Sequence, residues 1–196
     1  DIQIELSVSD AIVDPTTAGV DCALQIFSST ATDIISKHLF PVRRVLCASP
    51  AYLAKHGVPK DPRDLHGHRL GLYSRYPSRD RWVFHHKGQD TTVYLAADLF
   101  TNSVHLLREY ALEDAALVCV PTLVAAPALL DGSLQLVLCD HQLSAFWLSA
   151  VYARTSRNAF KLRLFLDHLQ DNFSTVPPWD ASLISRGLLQ ENVRIE

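Results

Sequence analysis

The sequence contains no methionine, only seven glycines and no uninterrupted run of about 18 apolar residues. Without such a run, no segment is predicted to cross a bilayer as a helix. The first residues, DIQIELSV, also lack the basic start and the apolar stretch of a secretory signal. We therefore expect a cytoplasmic protein with no membrane contact. A chain that begins at Asp1 and has no methionine is also expected to be a fragment of a longer one.

Positive charge is scarce, since 18 Lys and Arg residues face 21 Asp and Glu residues, for a formal net charge of −3. A surface that grips phosphates needs a basic patch, so this balance argues against direct contact with nucleic acid. Apolar residues make up 48% and charged residues 20%, which is typical of a packed globular chain and excludes disorder. At 196 residues the chain can fold without a metal or a disulfide.

The cysteines and histidines show no metal-site spacing. Four cysteines are spread along the chain without a CxxC pair: Cys22, Cys47, Cys119 and Cys139. We predict reduced core thiols, with a disulfide or a reactive thiol as alternatives. The adjacent His85 and His86 would point to opposite faces of a strand, so we expect no metal and no cofactor. No GxSxG motif or Walker loop is present, and an enzyme is not predicted.

Hydrophobic periodicity predicts alternating strands and helices. Ile2–Val8 alternates like a strand and is expected to pair in parallel with a second strand within Val20–Phe27, while residues 33–38 are typical of a loop or one helical turn. Further strands are predicted at 42–48, 70–73, 82–86, 91–95, 115–120, 134–138 and 146–153, and helices at 50–57, 104–112, 123–130 and 161–173. This order predicts an α/β fold with largely parallel sheets. The segment after Val176 has no clear period and is expected to be loosely docked or frayed.

One stretch, CASPAYLAKHGVPKDPRDLHGHRL (residues 47–70), is more specific than any periodicity. Ser49 is placed as an N-cap, Pro50 as the first helical residue and Gly57 as the helix end. The stretch closely resembles the "ASPaYLxxhGxPxxPxDLxxH" signature of the effector-binding domain of LysR-type transcriptional regulators. Other segments resemble that family in the same order: GVDCALQI (19–26), WVF (82–84), VCVPTLVAAPALLDGSLQLVL (118–138) and AVYARTSRNAFKLRLFLDHL (150–169).

The resemblance implies a periplasmic-binding-protein-like fold of type 2, in which two α/β subdomains joined by two crossover strands enclose a ligand cleft. The implied first subdomain comprises residues 1–45 plus 151–173, the second residues 46–150, and residues 174–196 form a C-terminal tail. The family's winged helix-turn-helix, and the first strand and helix of the first subdomain, have no counterpart in this sequence. The family also often has two glycines where this chain has Asp114 and Ala116.

Effector contacts are predicted where the implied fold presents strand ends and a helix start. Ligands of such sheets sit outside the carboxyl ends of strands, which selects Phe27 and Ser28. A helix N-terminus attracts anions, and the alternative interpretation is that one of the residues there serves only as its cap. The predicted effector-binding residues are Phe27, Ser28, Thr101, Asn102, Ser103, Thr122 and Trp147, and each also has a plain structural interpretation as loop, cap or core.

The resemblance implies a ligand-sensing regulatory domain of a bacterial transcriptional regulator, which binds a small molecule such as a carboxylate. It also implies a homo-oligomer, either a dimer or a tetramer, and contact with DNA only through the winged helix-turn-helix. The alternative from the same fold is a solute-binding protein for uptake, which would require secretion.

Overall fold

The structure is a computed structural model that describes residues 3–9, 11–27, 31–76, 80–173, 176–192 and 194–195. The strands are β1 (Ala23–Gln25), β2 (Ile34–Val42), β3 (Arg44–Ala48), β4 (Leu70–Tyr73), β5 (Arg81–His86), β6 (Gln89–Tyr94), β7 (Leu99–Thr101), β8 (Leu117–Pro121), β9 (Gln135–Val137), β10 (Gln142–Leu143) and β11 (Phe146–Ala153). The helices are α1 (Pro15–Ala18), α2 (Pro50–His56), α3 (Val104–Leu112), α4 (Thr122–Asp131), α5 (Phe160–Asn172) and α6 (Pro178–Ser185), with 3-10 turns at Pro62–Gly67 and Arg154–Ser156.

The chain divides into two compact units. Unit 1 consists of Asp1–Pro41 and Phe146–Pro177, and unit 2 consists of Val42–Ala145 and Pro178–Glu196. The chain therefore passes from one unit to the other three times, the third time just before α6.

Unit 1 is built on a three-stranded sheet with the order β1-β11-β2. β1 runs antiparallel to β11, with Ala23 opposite Val151. α5 covers part of this unit and buries Leu162 and Leu166, which confirms the amphipathic helix predicted from the sequence.

Two sequence predictions for unit 1 are wrong. The described part of the first segment, residues 3–9, forms no strand, and the apolar side chains of Ile4, Leu6 and Val8 are 65%, 80% and 88% exposed. Alternation alone does not make a strand, because a strand also needs a neighbour that completes its hydrogen bonds. β1 has that neighbour in β11 rather than in the first segment, and residues 34–38 extend as β2 in the same sheet rather than forming a loop.

Unit 2 contains a five-stranded sheet with the order β7-β4-β8-β3-β9 and a smaller sheet with the order β10-β5-β6. β4 is parallel to both β7 and β8, whereas β3 is antiparallel to both β8 and β9, and β5 is antiparallel to both β6 and β10. The expectation of largely parallel sheets is therefore wrong for the pairs described in this unit. Gly71 in β4 allows the close approach of α3, since a Cβ there would lie 3.0 Å from Leu107.

The helix-start signals of the 47–70 stretch are confirmed. α2 begins at Pro50, and Ser49 Oγ accepts a hydrogen bond from the N–H of Tyr52 at 3.0 Å. The helix ends before Gly57, whose φ of 86° favours glycine. These signals are local, so the sequence alone was sufficient to place them.

The C-terminal segment is not frayed. α6 packs against α4 in unit 2, and its residues Asp180 and Leu183 are fully buried. Asp180 forms an ion pair with Arg43, whose Nε lies 3.2 Å from Asp180 Oδ2. The prediction of a frayed segment failed because residues far away in the sequence hold α6 in place. The sequence of α6 itself has no amphipathic period that indicates a packed helix.

Candidate functional site

The N-terminus of α3 carries three of the predicted site residues. β7 ends at Thr101, and Ser103 is the N-cap of α3, with its Oγ accepting a hydrogen bond from the N–H of Leu106 at 3.2 Å. Thr101 Oγ1 accepts a hydrogen bond from the N–H of Ser103 at 3.1 Å. Asn102, between them, is exposed. The two hydroxyl oxygens therefore shape the turn, and the Asn102 amide projects from it.

This turn has donors suited to a small anion. The N–H groups of Val104 and His105 lie in the first turn of α3, where a helix offers them no internal acceptor. The helix dipole adds partial positive charge at the same end. With the exposed Asn102 amide, these groups can receive one carboxylate. The turn contains no Lys or Arg, so it suits a neutral or singly charged ligand better than a polyphosphate.

The capping role of Ser103 changes how this site has to be tested. Replacing Ser103 with Ala removes an N-cap, which costs about 1 kcal/mol of stability whether or not a ligand binds. Asn102 has no such structural duty among the described contacts, so it is the cleaner probe of ligand binding.

Thr122, the first residue of α4, is fully buried in unit 2. Its N–H donates to the carbonyl oxygen of Arg43 at 3.0 Å, and its hydroxyl lies beside the Asp180 carboxylate. Burial raises the pKa of Asp180, while Thr122 and Arg43 lower it. Burial also lowers the pKa of Arg43. Contact between Thr122 and an effector stays a prediction, and this geometry favours a structural role.

Unit 1 contains Phe27 and Trp147, whereas Ser28 lies outside the described residues. The Phe27 ring packs edge-on against Phe146, with 5.4 Å between the centroids. Phe146 and Trp147 are consecutive in β11 and therefore project to opposite faces of the sheet. The structure thus places the Phe27 ring against one face of β11 and Trp147 on the other.

His38 is a neighbour of Trp147 that the sequence analysis missed. Its ring stacks on the Trp147 indole, with 5.1 Å between centroids and 22° between planes. His38 Nδ1 lies 3.0 Å from the Oγ of Ser149, which is 6% exposed. Residues 33–38 were read as a loop or one helical turn, so no sequence signal brought His38 to β11.

Asp114 stands where the related family often has glycine, and the structure explains how it is tolerated. Its φ is 55°, a conformation that Asp adopts more readily than most residues. Its Oδ1 accepts a hydrogen bond from Ser49 Oγ at 2.5 Å. The N-cap of α2 therefore holds the loop that begins at Asp114.

The described residues contain no group of three or more side chains that could hold a metal ion. All four cysteines are free, and the disulfide alternative finds no support. Cys47 and Cys119 are buried, and burial raises the pKa of the Cys119 thiol to about 12. Cys139 is exposed, but partial burial of its thiol raises its pKa as well. The thiols with raised pKa are poor nucleophiles at neutral pH.

A hydrogen-bonded series of Ser, His and Asp side chains is present in unit 2. His85 Nε2 lies 2.9 Å from Ser144 Oγ, and His85 Nδ1 lies 2.6 Å from Asp90 Oδ1. Ser144 is only 3% exposed, and its carbonyl oxygen accepts hydrogen bonds from Nε and the terminal nitrogen of Arg44. These hydrogen bonds connect β5 and β6 to the residues that precede β11. Because Ser144 is buried, its hydroxyl has no exposed side for a substrate.

A cavity of about 670 Å³ in unit 2 lies apart from the predicted site residues. Its lining includes Leu136, His141 and Leu189, together with Arg43 and Arg44. Both guanidinium groups already donate to protein acceptors, Arg43 to the Asp180 carboxylate and to backbone carbonyl oxygens and Arg44 to the carbonyl oxygen of Ser144. None of the predicted effector-binding residues lines this cavity.

Comparison with known proteins shows which family of proteins this chain is similar to. The model of the LysR substrate binding domain matches residues 1–174. The chain is 28% identical over 185 residues to the probable HTH-type transcriptional regulator LtrA of Klebsiella pneumoniae, covering 92% of the chain and 58% of LtrA. It is 27% identical over 169 residues to the regulator CrgA of Neisseria meningitidis, covering 86% and 56%. The chain thus spans a little over half the length of these curated relatives.

Solved structures of LysR-type regulators also superpose on this chain. The CrgA regulatory domain of Neisseria meningitidis superposes with a TM-score of 0.71 at 26% identity, covering 81% of this chain and 78% of that one. Full-length AphB, the Vibrio cholerae virulence activator, superposes with a TM-score of 0.74 at 26% identity, covering 87% and 58%.

The fold is that of a periplasmic-binding-protein-like domain of type 2, as predicted from the sequence. The chain belongs to the LysR substrate-binding domain family. Its relatives are transcriptional regulators, which supports the regulatory interpretation over solute uptake. Among the described residues, no helix is long and apolar enough to span a membrane.

Proposed function

We propose that this chain is the effector-sensing part of a LysR-type transcriptional regulator. The observation that carries the proposal is the family match over residues 1–174, with relatives that are HTH-type regulators roughly twice as long as the matched region. DNA contact then belongs to a separate segment of the whole protein, in keeping with the net charge of −3 in this chain. The protein acts in the cytoplasm as a homo-oligomer and does not catalyse a reaction.

The ligand is a small molecule with one acceptor-rich group, such as a carboxylate. In unit 2 it contacts the α3 turn at Thr101, Asn102 and Ser103, where N–H and amide donors are concentrated. In unit 1, Phe27, Ser28 and Trp147 remain the effector contacts predicted from the sequence, and the placement of Phe27 and Trp147 on opposite faces of β11 favours only one of these two rings for a given ligand. The burial of Thr122 beside Asp180 favours an indirect contribution from that residue.

The ligand changes activity only through a difference in affinity between two arrangements of the protein. If it binds one arrangement more tightly, the population shifts toward that arrangement, and the oligomer presents its DNA-binding segments differently. No covalent step is needed for this response.

A thermal-shift screen of small carboxylates and their neutral analogues tests the proposal. A ligand at 100 times its Kd stabilises the folded chain by about 2.7 kcal/mol, which raises its melting temperature measurably. Recovery of the ligand unchanged after incubation separates a sensor from an enzyme. Turnover of the ligand, or tight sequence-specific binding of duplex DNA by residues 1–196 alone, would contradict the proposal.

A further inference from the structure

The polypeptide passes between the two units at three crossovers, and its C-terminal segment follows the last of them. The crossovers are between Pro41 and Val42, between Ala145 and Phe146, and between Pro177 and Pro178. Residues 187–192 and 194–195, here called the C-terminal strap, come after α6 and lie beyond residue 174, where the family match ends. The strap is therefore connected to the third crossover through α6, and its contacts with unit 2 decide what else it holds.

At the first crossover the strap is held by Arg43, the second residue of unit 2 after this crossover. The two terminal nitrogens of Arg43 donate to the carbonyl oxygens of Gln190 and Glu191. Its Nε lies 3.2 Å from Asp180 Oδ2 in α6, and its side chain is only 6% exposed. Leu189, next to these carbonyl groups, packs against the hydrophobic core of unit 2. One guanidinium group thus joins the first crossover to both α6 and the strap.

At the second crossover the other end of the strap is attached. The N–H of Ala145, the last residue before this crossover, donates to the carbonyl oxygen of Arg194 at 2.7 Å, and Ala145 forms a parallel bridge with Ile195. The terminal nitrogen Nη1 of Arg194 lies 3.4 Å from Asp90 Oδ1 and 3.0 Å from His85 Nδ1. The Arg194 and Asp90 side chains are 60% and 49% exposed. This attachment is therefore open to water and weaker than the buried one at Arg43.

The strap borders a cavity as well as its attachments. The cavity of about 670 Å³ is lined by Leu188, Gln190 and Asn192 of the strap, together with Leu136 of β9 and Leu143 of β10. The three strap residues are also exposed to solvent. Along this stretch the strap therefore faces open space and water rather than close-packed side chains. Exposed hydrogen bonds are exchanged for bonds to water at a small net cost, so such a segment can open while the core stays folded.

We propose that the C-terminal strap couples the first and second crossovers, so that a change at one is transmitted to the other, and that release of the strap frees both. This inference rests on the proposed effector-sensing function, to which it adds a means of regulation. A rearrangement of the units has to act through the crossovers, because these are the covalent connections between the units. A closed strap holds the unit 2 ends of two crossovers together, and an open strap lets each move by itself. The strap thereby favours one arrangement over another.

Two variants, one at each end of the strap, test the coupling by NMR measurement of hydrogen exchange with water. Arg43→Lys keeps a positive charge for Asp180 but loses the planar fork that serves two carbonyl oxygens. We expect the Ala145 amide, at the other end, to exchange about tenfold faster or more in this variant. Arg194→Ala removes the contacts with Asp90 and His85, and the Arg43 guanidinium protons are expected to exchange faster in turn. Coupling between two sites is reciprocal, so the inference requires both effects.

Arg63→Ala is the matched control. Arg63 and Asp61 of unit 2 lie 3.4 Å apart with side chains that are 72% and 45% exposed, close to the values of the Arg194–Asp90 pair. Breaking this pair is expected to leave exchange at Ala145 and Arg43 unchanged. The amide of Val118, a fully buried residue of β8, is the internal reference for opening of the core. Its exchange is expected to change much less than the two strap signals in every variant.

The unaltered chain provides a measurement that does not depend on any variant folding. At urea concentrations too low to unfold it, the Ala145 amide and the Arg43 guanidinium protons are expected to become exposed together, and before the Val118 amide. Separate openings, or opening only together with Val118, would overturn the inference. So would an effect of Arg194→Ala that is confined to Ala145, or equal acceleration at Val118. No step uses a ligand, so these results would leave effector sensing standing, and a screen that yields no ligand would contradict the proposed function without touching the coupling.

Discussion

Strands β3 and β8 of unit 2 are buried at every position, whereas β1 and residues 34–38 of β2 in unit 1 are half-buried or exposed. A fully buried strand is a continuous apolar run in sequence, and its position in the core leaves little freedom for change. A half-exposed strand carries polar and aromatic side chains that are available for recognition. Unit 2 thus combines a packed core with a polar helix start, whereas unit 1 leaves the stacked rings of His38 and Trp147 partly open to solvent.

The largest effect is expected at the buried ion pair of unit 2. Asp180→Ala leaves Arg43 buried without its carboxylate, and we expect a loss of about 3–5 kcal/mol of unfolding free energy, as for other broken buried pairs. Urea denaturation measures it. A double variant, Arg43→Met with Asp180→Leu, is expected to recover most of the loss, because it removes both charges. A single variant as stable as the unaltered chain would show that this ion pair contributes nothing to the stability of unit 2.

Core truncation tests the contrast between the units directly. Leu107→Ala removes a fully buried side chain of α3 in unit 2 and should cost about 2–5 kcal/mol. Leu24→Ala removes a side chain of β1 that is 43% exposed, and a loss below about 1 kcal/mol is expected. The loss of unfolding free energy in each variant is measured from the shift of its denaturant midpoint. Equal losses would mean that unit 1 is packed as tightly as unit 2.

Two variants in the turn at the N-terminus of α3 separate an effect on stability from an effect on ligand binding. Ser103→Ala should lower unfolding free energy by about 1 kcal/mol through loss of the N-cap. Asn102→Ala, at an exposed position, should leave stability within about 0.5 kcal/mol and weaken an effector found in the screen. Thermal denaturation measures the stability of both variants, and calorimetry measures their affinity for the effector. Unchanged effector affinity in Asn102→Ala would remove this residue from the site.

The smallest effect concerns pH. Burial, and next the charge of His56, lower the pKa of His68, while Asp64 raises it. Because the folded state then binds protons more weakly than the unfolded chain, this contribution to stability is full above the unfolded pKa of about 6.5 and is lost as the pH falls from there through the lower folded pKa. His68→Gln should flatten this part of the stability profile relative to the unaltered chain. The exposed His66→Gln serves as control, and identical profiles for the two variants would refute the assignment.

The predictable parts of the molecule have local causes. The α2 start at Ser49 and Pro50, and its end before Gly57, depend on side chains within a few residues of the helix termini. The buried runs of β3 and β8 and the long strand β11 were found from hydrophobic pattern alone. For the candidate site, the helix start after Thr101 was predicted, but the choice of Ser103 as its cap was not. Several polar residues in a row can all cap a helix, and only the backbone geometry selects one of them.

The parts that were missed depend on contacts between distant residues. Residues 33–38, which include the start of β2, were predicted as a loop or one helical turn because the strand state of β2 depends on β11, more than 100 residues away in the sequence. A similar distance separates His38 from Trp147 and Ser149, so the stacking of His38 on Trp147 has no signature in either segment. α6 similarly depends on the pairing of Asp180 with Arg43.

The amino-acid sequence by itself determined the α/β class, the LysR-type family and the local capping signals, because these follow from periodicity and from motifs within short windows. Only the tertiary structure decided that the described residues 3–9 form no strand, that the C-terminal helix packs into unit 2, and that His38 stacks on Trp147. The physical reason is that strand pairing, ion pairing and ring stacking are satisfied across the fold, where sequence distance carries no information about proximity.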